Sequence, residues 1–365
     1  MSKTANIVMS GYYGFQNAGD DAVCYAIIEA LRKEMPECKI TVLSNDPVLT
    51  ANAYGVAAEN RWKWQAVWRA LRQSDLLVSG GGSLIQDVTS KNSSLYYLGV
   101  ILLGLLARKP VLVYGQGLGP LENKRNRLLT RLLFNRLRAI YVRDEDSLAL
   151  LREIGVKQPI QVAPDPVLGI DGEVVDREKG LALLKNLGYD GERPLALLAI
   201  RQWPGFDAKA FASLGDHLAS QGYAVGFLAM HHDQDTEVSL AVQKQMQHPA
   251  FVIKDAYDTP SLFSIFSVAS LVVGMRLHSL IIGAALDKRV VGVSYDPKVT
   301  AFMKMIHNPY CIDITQLNAA ALEAAVDECL STERYEADHR MRSLKRMSRT
   351  PASHCRDILF TAGQS

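Results

Sequence analysis

The chain has no apolar run long enough to cross a bilayer. Its longest, Leu95 to Ala107, falls well short of the ~20 residues a spanning helix needs and reads as a buried helix. No apolar signal-peptide core precedes Ile7, where a first strand already begins. Cysteine is scarce and scattered: Cys24, Cys38, Cys311, Cys329 and Cys355 form no C-x-x-C pair. An odd number of dispersed thiols argues against a disulfide framework or a thiolate zinc site and suggests a reducing cytoplasm. H-E-x-x-H is missing, and the adjacent His231 and His232 read as loop residues facing solvent, so no metal is expected. A large charge excess is missing too. With a net charge of +2, nothing global points to nucleic acid. There is no low-complexity linker and no tandem repeat of solenoid type.

What the chain does have is length and alternation. Apolar residues make up 48% and charged residues 21%, the balance of a soluble globular protein, and 365 residues suffice for two domains with sizeable cores. Strand-like runs alternate with helical patterns. They are Ile7 to Met9, Ile40 to Ser44, Leu76 to Ser79, Val111 to Tyr114 and Ala139 to Val142, then Leu195 to Ile200, Ala224 to Ala229, Phe251 to Ile253, Leu271 to Gly274 and Val290 to Ser294. Such alternation predicts parallel sheets wrapped by helices. Pro164-Asp165-Pro166 and the polar segment Asp171 to Lys179 interrupt it. The expected fold is therefore α/β, with two Rossmann-like domains, 1–170 and 171–335, and a cleft between them. A basic helical tail, 336–365, follows, and a return onto the first domain is one placement for it.

Residues with chemical potential gather just after the strands, where open α/β sheets bind ligands. Arg276 and His278 stand two residues apart between a buried strand and an apolar helix, so a fixed cation and a titratable imidazole meet unpaired helical N–H groups. A small anionic substrate is the first expectation. The alternative is an arginine that caps a neighbouring element and a histidine satisfied in the core. The loop from Gly11 to Asp21 joins the first strand to the first helix without the G-x-G-x-x-G pattern. It reads equally as a turn in which Asp20 caps the helix, or as a binding loop from which Tyr13 and Asn17 reach out to a sugar ring. Gly80-Gly81-Gly82-Ser83 and Gly115-Gln116-Gly117 imply close backbone approach or positive φ, for a ligand or for tight strand–helix packing. Neither carries the lysine of a nucleotide-binding P-loop.

Lys124 to Arg138 carries six basic residues and no acidic one, with Leu128, Leu129, Leu132, Leu133 and Leu137 at helical spacing on one face. Two readings stand: attraction to an anionic membrane surface, or a helix packed on its sheet with a basic solvated face.

The ordered segments GYYGFQNAGDDA, VSGGGSLIQD, YGQGLGP, VRDEDS, APDP, RQW, GMRLHSLI and SYDPKV resemble the polysaccharide pyruvyl transferase family, most nearly its CsaB type. The resemblance implies a GT-B-like architecture. It also implies transfer of a pyruvyl group from phosphoenolpyruvate (PEP) to a sugar, forming a 4,6-linked cyclic ketal and releasing phosphate, with no cofactor. The CsaB type further implies N-acetylmannosamine in a lipid-linked secondary cell wall polymer precursor as acceptor, in the service of S-layer anchoring. The dispersed thiols point to the cytoplasm, and the basic helix Lys124 to Arg138 to peripheral contact at the inner membrane face as one of its two readings. PEP carries two anionic groups, and arginine matches both bidentately. The implied PEP contacts are Arg143, Arg276, His278, Lys298 and Arg201. Arg276 and His278 are the implied catalytic pair, with His278 either the proton donor or an imidazolium ligand of the phosphate. The implied acceptor contacts are Tyr13, Asn17, Asp20, Gly81, Gly82, Ser83 and Gln116, on the first domain. A GT-B glycosyltransferase using a nucleotide sugar, and a non-catalytic module binding a sugar or lipid intermediate, are the competing readings.

Overall fold

The computed structural model describes residues 4–87, 93–332 and 335–361. Residue 334, in the basic tail, and residues 362–365 lie outside that description. The chain forms two compact units: Met1–Ile170 joined by Leu344–Ser365, and Asp171–Ser343.

In the first unit the strands are β1 (Asn6–Ser10), β2 (Lys39–Ser44), β3 (Ala57–Asn60), β4 (Leu76–Gly80), β5 (Ser83–Ile85), β6 (Val111–Leu118), β7 (Ala139–Val142) and β8 (Ile160–Val162). They pair in parallel in the order β3-β2-β1-β4-β6-β7-β8, with β5 added against β6. Between them run α1 (Ala18–Glu34), α2 (Pro47–Tyr54), α3 (Trp64–Gln73), α4 (Ser93–Leu106), α5 (Lys124–Phe134) and α6 (Glu145–Glu153). The central strands are near-continuous Val, Ile and Leu because helices cover both faces. The short strands β3, β5 and β8 were not legible as strands: AAEN, SLI and IQV offer too little apolar length. The sheet reverses direction of growth between β1 and β4, a topological switch point.

Two expectations for this unit are corrected. Asn17, not Asp20, caps α1: its side chain accepts from Gly19 N, which puts Asp20 inside the first turn. The leucines of α5 do not share one face. Leu133, and Leu137 just beyond the helix, are buried, while Leu128 and Leu132 point outward among the cations.

The second unit repeats the plan. It comprises α7 (Arg177–Lys185), β9 (Leu195–Ala199), α8 (Ala208–Ser220), β10 (Ala224–Leu228), α9 (His232–Gln243), β11 (Phe251–Ile253), α10 (Thr259–Val268), β12 (Leu271–Gly274), α11 (Leu277–Ala285), β13 (Arg289–Ser294), α12 (Pro297–Met305), β14 (Cys311–Asp313) and α13 (Ala319–Ser331). The parallel order β11-β10-β9-β12-β13-β14 puts the switch point between β9 and β12. Helix starts follow from local chemistry. Asp258 caps α10 and Asp296 caps α12, each with proline in the first turn, where its missing N–H costs nothing.

A last helix, α14 (Tyr335–Phe360), leaves the second unit and from Leu344 onward belongs to the first. There the buried Tyr114 hydroxyl donates to Ser348 O (3.0 Å), Arg349 Nε donates to Gly169 O (2.6 Å), and Arg356 pairs with Glu34 (2.7 Å). Ala352 and Cys355 are fully buried, and burial pushes the Cys355 thiol and the Tyr114 phenol up. Among the described residues no helix is long and apolar enough to cross a membrane.

Candidate active site

In the second unit four of the sequence-predicted residues leave adjacent strands at the carboxyl edge. Ala199 and Gly274 are register partners across the switch point, so Arg201 and Arg276 each stand two residues beyond the paired ends. Arg276 occupies the N-cap position of α11 and makes no capping bond with its side chain. Its guanidinium turns instead to the wholly buried Asp235 in the first turn of α9. Nε donates to Oδ2 at 2.9 Å and Nη2 to Oδ1 at 2.5 Å, while His231 N donates to Oδ2 at 2.8 Å. Asp235 thus takes the Nε–Nη2 edge, which fixes the plane of the guanidinium and leaves Nη1 outside that pair. His278 follows in the first turn of α11, partly buried. The start of that helix adds backbone N–H groups and the positive end of its dipole.

Arg201 is held from the other side of the switch point. Its Nη1 donates to Tyr295 Oη (2.8 Å), and its guanidinium lies 4.7 Å and 4.8 Å from the ring centres of Trp203 and Tyr295. Its Nε is buried and has no hydrogen-bond partner among the described residues. Lys298 lies one strand further along, in the first turn of α12, half exposed and paired with Asp296 at 3.2 Å. Arg201 and Arg276 are therefore guanidinium groups held by Tyr295 and Asp235, with His278 on the same edge and Lys298 a half-exposed cation one strand further along.

Arg143 belongs to the first unit. At the end of β7 its guanidinium donates to Ser83 Oγ (3.3 Å) and lies 3.5 Å from Asp144 and 3.8 Å from the buried Asp165. Gly117 passes beneath it, so close that a Cβ there would stand 2.7 Å from Nη2. Arg143 and Ser83 are thus together. Gln116 is not a surface contact, because β6 continues through Gly115-Gln116-Gly117. Its side chain is wholly buried, with Oε1 accepting from Ser79 Oγ (3.4 Å) and Nε2 lacking a hydrogen-bond partner among the described residues.

The loop after β1 is also rearranged relative to expectation. Tyr13 does not reach outward. Its ring folds over Gly11, where a Cβ would stand 2.2 Å away, and its buried hydroxyl donates to Gly80 O at 2.7 Å. Tyr13 is therefore a strut between the loops after β1 and β4. Asn17 is engaged in capping. Asp20 does face the glycine turn: Gly81 and Gly82 have φ of +81° and +60°, and a Cβ on Gly82 would meet Asp20 Oδ1 at 2.5 Å. Tyr12 and Phe15 stack at 4.0 Å, and the exposed Tyr12 is the loop's available aromatic face.

Sequence reasoning missed four residues, three on the first unit and Asp235 on the second. Asp165 and Asp235 are buried counter-ions whose role exists only in three dimensions. Asp21, beside Asp20, has its carboxyl pushed up to about 7 by burial, with Asp20 adding to the shift and the Gly14 N–H opposing it. Arg61, just beyond β3, is a buried cation surrounded by the rings of Phe15, Trp62, Tyr96 and Tyr97 at 4.1–5.4 Å. Its Nη1 donates to Gly11 O at 2.7 Å. The dense aromatic surround in RWKW and YY was its only sequence signal.

Comparison with known proteins adds a family and a fold. Residues 17–297 match the family model described as polysaccharide pyruvyl transferase. That stretch contains Arg143, Arg201, Arg276 and His278; Tyr13 precedes it and Lys298 follows it. The amylovoran biosynthesis protein AmsJ of Erwinia amylovora is 23% identical over 227 residues, 57% of this chain and 54% of AmsJ, so the match spans about half the length of that relative. Among solved structures, the UDP-GlcNAc 2-epimerase of Neisseria meningitidis bound to UDP-GlcNAc superimposes with a TM-score of 0.62 at 12% identity, over 98% of this chain and 100% of the other. The ADP-heptose lipopolysaccharide heptosyltransferase II of Escherichia coli does so with 0.55 at 13% identity, over 90% and 98%. At such identities the likeness speaks for the fold alone: α/β, of the GT-B type.

Proposed function

The chain belongs to the polysaccharide pyruvyl transferase family and so is a transferase of polysaccharide biosynthesis, and from that premise we propose that it draws the pyruvyl group from PEP and closes it on two sugar hydroxyls as a cyclic ketal. The observation that carries the donor assignment is the cationic set at the switch point of the second unit. Arg276, oriented by buried Asp235, and Arg201, held by Tyr295, offer guanidinium groups to a carboxylate and a phosphate. A neutral sugar would need neither.

The chemistry balances without another reactant. A proton adds to the PEP methylene carbon, and one sugar hydroxyl attacks the resulting cationic carbon and loses its proton. The carbon–oxygen bond to phosphate breaks, and phosphate departs with the bonding pair. The second hydroxyl then closes the ring and loses its proton. His278, in the first turn of α11, is the candidate to give the first proton or to hold the phosphate. On the first unit, taken by itself, Ser83, the Gly81–Gly82 turn and the Tyr12 ring are the candidate sugar contacts. The N-acetylmannosamine acceptor implied by the CsaB-type resemblance is the first to assay.

The test is incubation of the protein with PEP and a soluble N-acetylmannosamine-containing saccharide, following phosphate release and the mass of the product. Phosphate released in step with a pyruvyl ketal supports the reading. Transfer from a nucleotide sugar, with PEP untouched, would replace it with a glycosyltransferase.

A further inference from the structure

Helices α3, α4 and α5 of the first unit lie side by side against one face of its sheet and share one apolar core. Their inner faces are ordinary: Val67 and Leu71, Leu98 and Ile101, and Leu133 and Phe134 are buried. Their outer faces are not. Trp62 and Trp64 at the entry to α3, Leu102 and Leu106 on α4, and Leu128 and Leu132 on α5 are all 43–62% exposed. Each leucine pair is spaced by one helical turn, so its members stand on one stripe. At the aromatic end Tyr96 contacts both tryptophans, with ring centres 5.4 and 5.5 Å apart. The Trp64 ring lies 3.7 Å from the position of a Cβ on Gly99, one turn before Leu102 on the same stripe of α4. One exposed leucine needs no explanation, but six large apolar side chains on adjoining helices mark an interaction surface.

Charge selects the occupant. The segment 61–73 carries four basic residues and no acidic one, α4 carries no charge, and α5 carries four basic residues and no acidic one. Lys63, Arg69, Arg72, Lys124, Arg125 and Arg131 are all exposed. On α5 the two leucines emerge between Lys124 and Arg131 on one side and Arg125 on the other. A second copy of this chain would press cations against cations. We infer that this face docks the protein on a bilayer of anionic phospholipid. There tryptophan lies at headgroup level, leucine side chains enter the acyl boundary, and the cations meet phosphates.

The placement also has a consequence for the acceptor. Trp62 and Tyr96 border Arg61 and Phe15, so the apolar row begins beside the loop that follows β1. A membrane-borne saccharide would reach that edge without leaving the surface. The inference depends on the proposed transferase activity only for what the membrane carries.

The test is co-sedimentation of the full chain with phosphatidylcholine vesicles, with and without phosphatidylglycerol, at low and high salt. The charge variant is Lys124→Gln/Arg125→Gln/Arg131→Gln, and the apolar variant is Leu102→Gln/Leu106→Gln/Leu128→Gln/Leu132→Gln. Wild type is expected to partition onto the anionic vesicles and to weaken with salt. The charge variant should lose on the order of a hundredfold in partition, at about fivefold per cation. The apolar variant should lose at least about tenfold and keep a wholly salt-sensitive remainder. Both should still act on a soluble acceptor. Wild type left in the supernatant at low salt, or all three proteins sedimenting alike, would overturn the inference. So would a wild-type dimer that the apolar variant splits while vesicle binding is nil. Absence of PEP-dependent transfer on the soluble acceptor would remove the proposed function and leave the vesicle result standing.

Discussion

Arg276→Ala leaves the Asp235 carboxylate buried with only the His231 N–H donating to it among the described residues. Breaking a buried pair in this way costs about 3–5 kcal/mol, because the surviving charge has neither water nor partner. At about 2–4 °C per kcal/mol for a domain of this size, the second unit should melt roughly 6–20 °C lower. A plain reading of Arg276→Ala kinetics would then confuse instability with lost substrate binding. The remedy is Arg276→Ala/Asp235→Asn, which removes the stranded charge and keeps an acceptor for His231 N. Thermal melts followed by circular dichroism should show the double variant recovering a large part of the loss. Its KM for PEP should stay about 10- to 150-fold above wild type, the equivalent of a charge-assisted bond worth 1.5–3 kcal/mol. Stability and substrate affinity would thus separate within one pair of residues. If Arg276→Ala melts like wild type, or if adding Asp235→Asn makes it worse, Asp235 does not depend on Arg276 and the orienting role fails.

Three further outcomes are expected. Asp21 has its folded pKa raised to about 7 from an ordinary ~3.9, so the native state holds its proton more tightly than the unfolded chain; its stability contribution is complete below about pH 4 and is lost as pH rises through about 7. Wild type should therefore lose more melting temperature between pH 5 and pH 8 than Asp21→Asn does, and equal losses would show that the carboxyl titrates normally. Tyr13→Phe strands the Gly80 carbonyl and should cost about 1–3 kcal/mol in a denaturant titration with unchanged slope; a midpoint equal to wild type would mean that water replaces the hydroxyl. Arg61→Ala removes the bond to Gly11 O and four ring contacts and should cost about 2–4 kcal/mol by the same assay, whereas a neutral result would make the cage incidental.

The long apolar strands and the positions just beyond them were legible because a parallel sheet covered on both faces writes itself as uninterrupted Val, Ile and Leu. Leu271–Gly274 and Ala139–Val142 appear where the sequence places them. The polar residues after them could be located but not oriented. Tyr13 and Asn17 stood in a loop that looked outward, yet Gly11 let the tyrosine fold inward, and the helix began three residues earlier than Asp20 requires. Gln116 was misread because glycines on either side suggested a loop, where β6 simply runs on to pair with β5. Asp235 was invisible for a deeper reason. It lies 41 residues from Arg276, and nothing in a polar helix start announces that one carboxylate will be buried against a guanidinium.

The path of the chain through its two units bears on how the protein is made. Because Leu344 onward completes the first unit, the whole of the second is translated before the first can close. Until then Tyr114 has no carbonyl to receive its hydroxyl proton, and the apolar floor that Ala352 and Cys355 cover stays wet. The first unit can therefore complete its core only after the second has been synthesised. Truncation ahead of Leu344 is expected to leave that apolar floor uncovered.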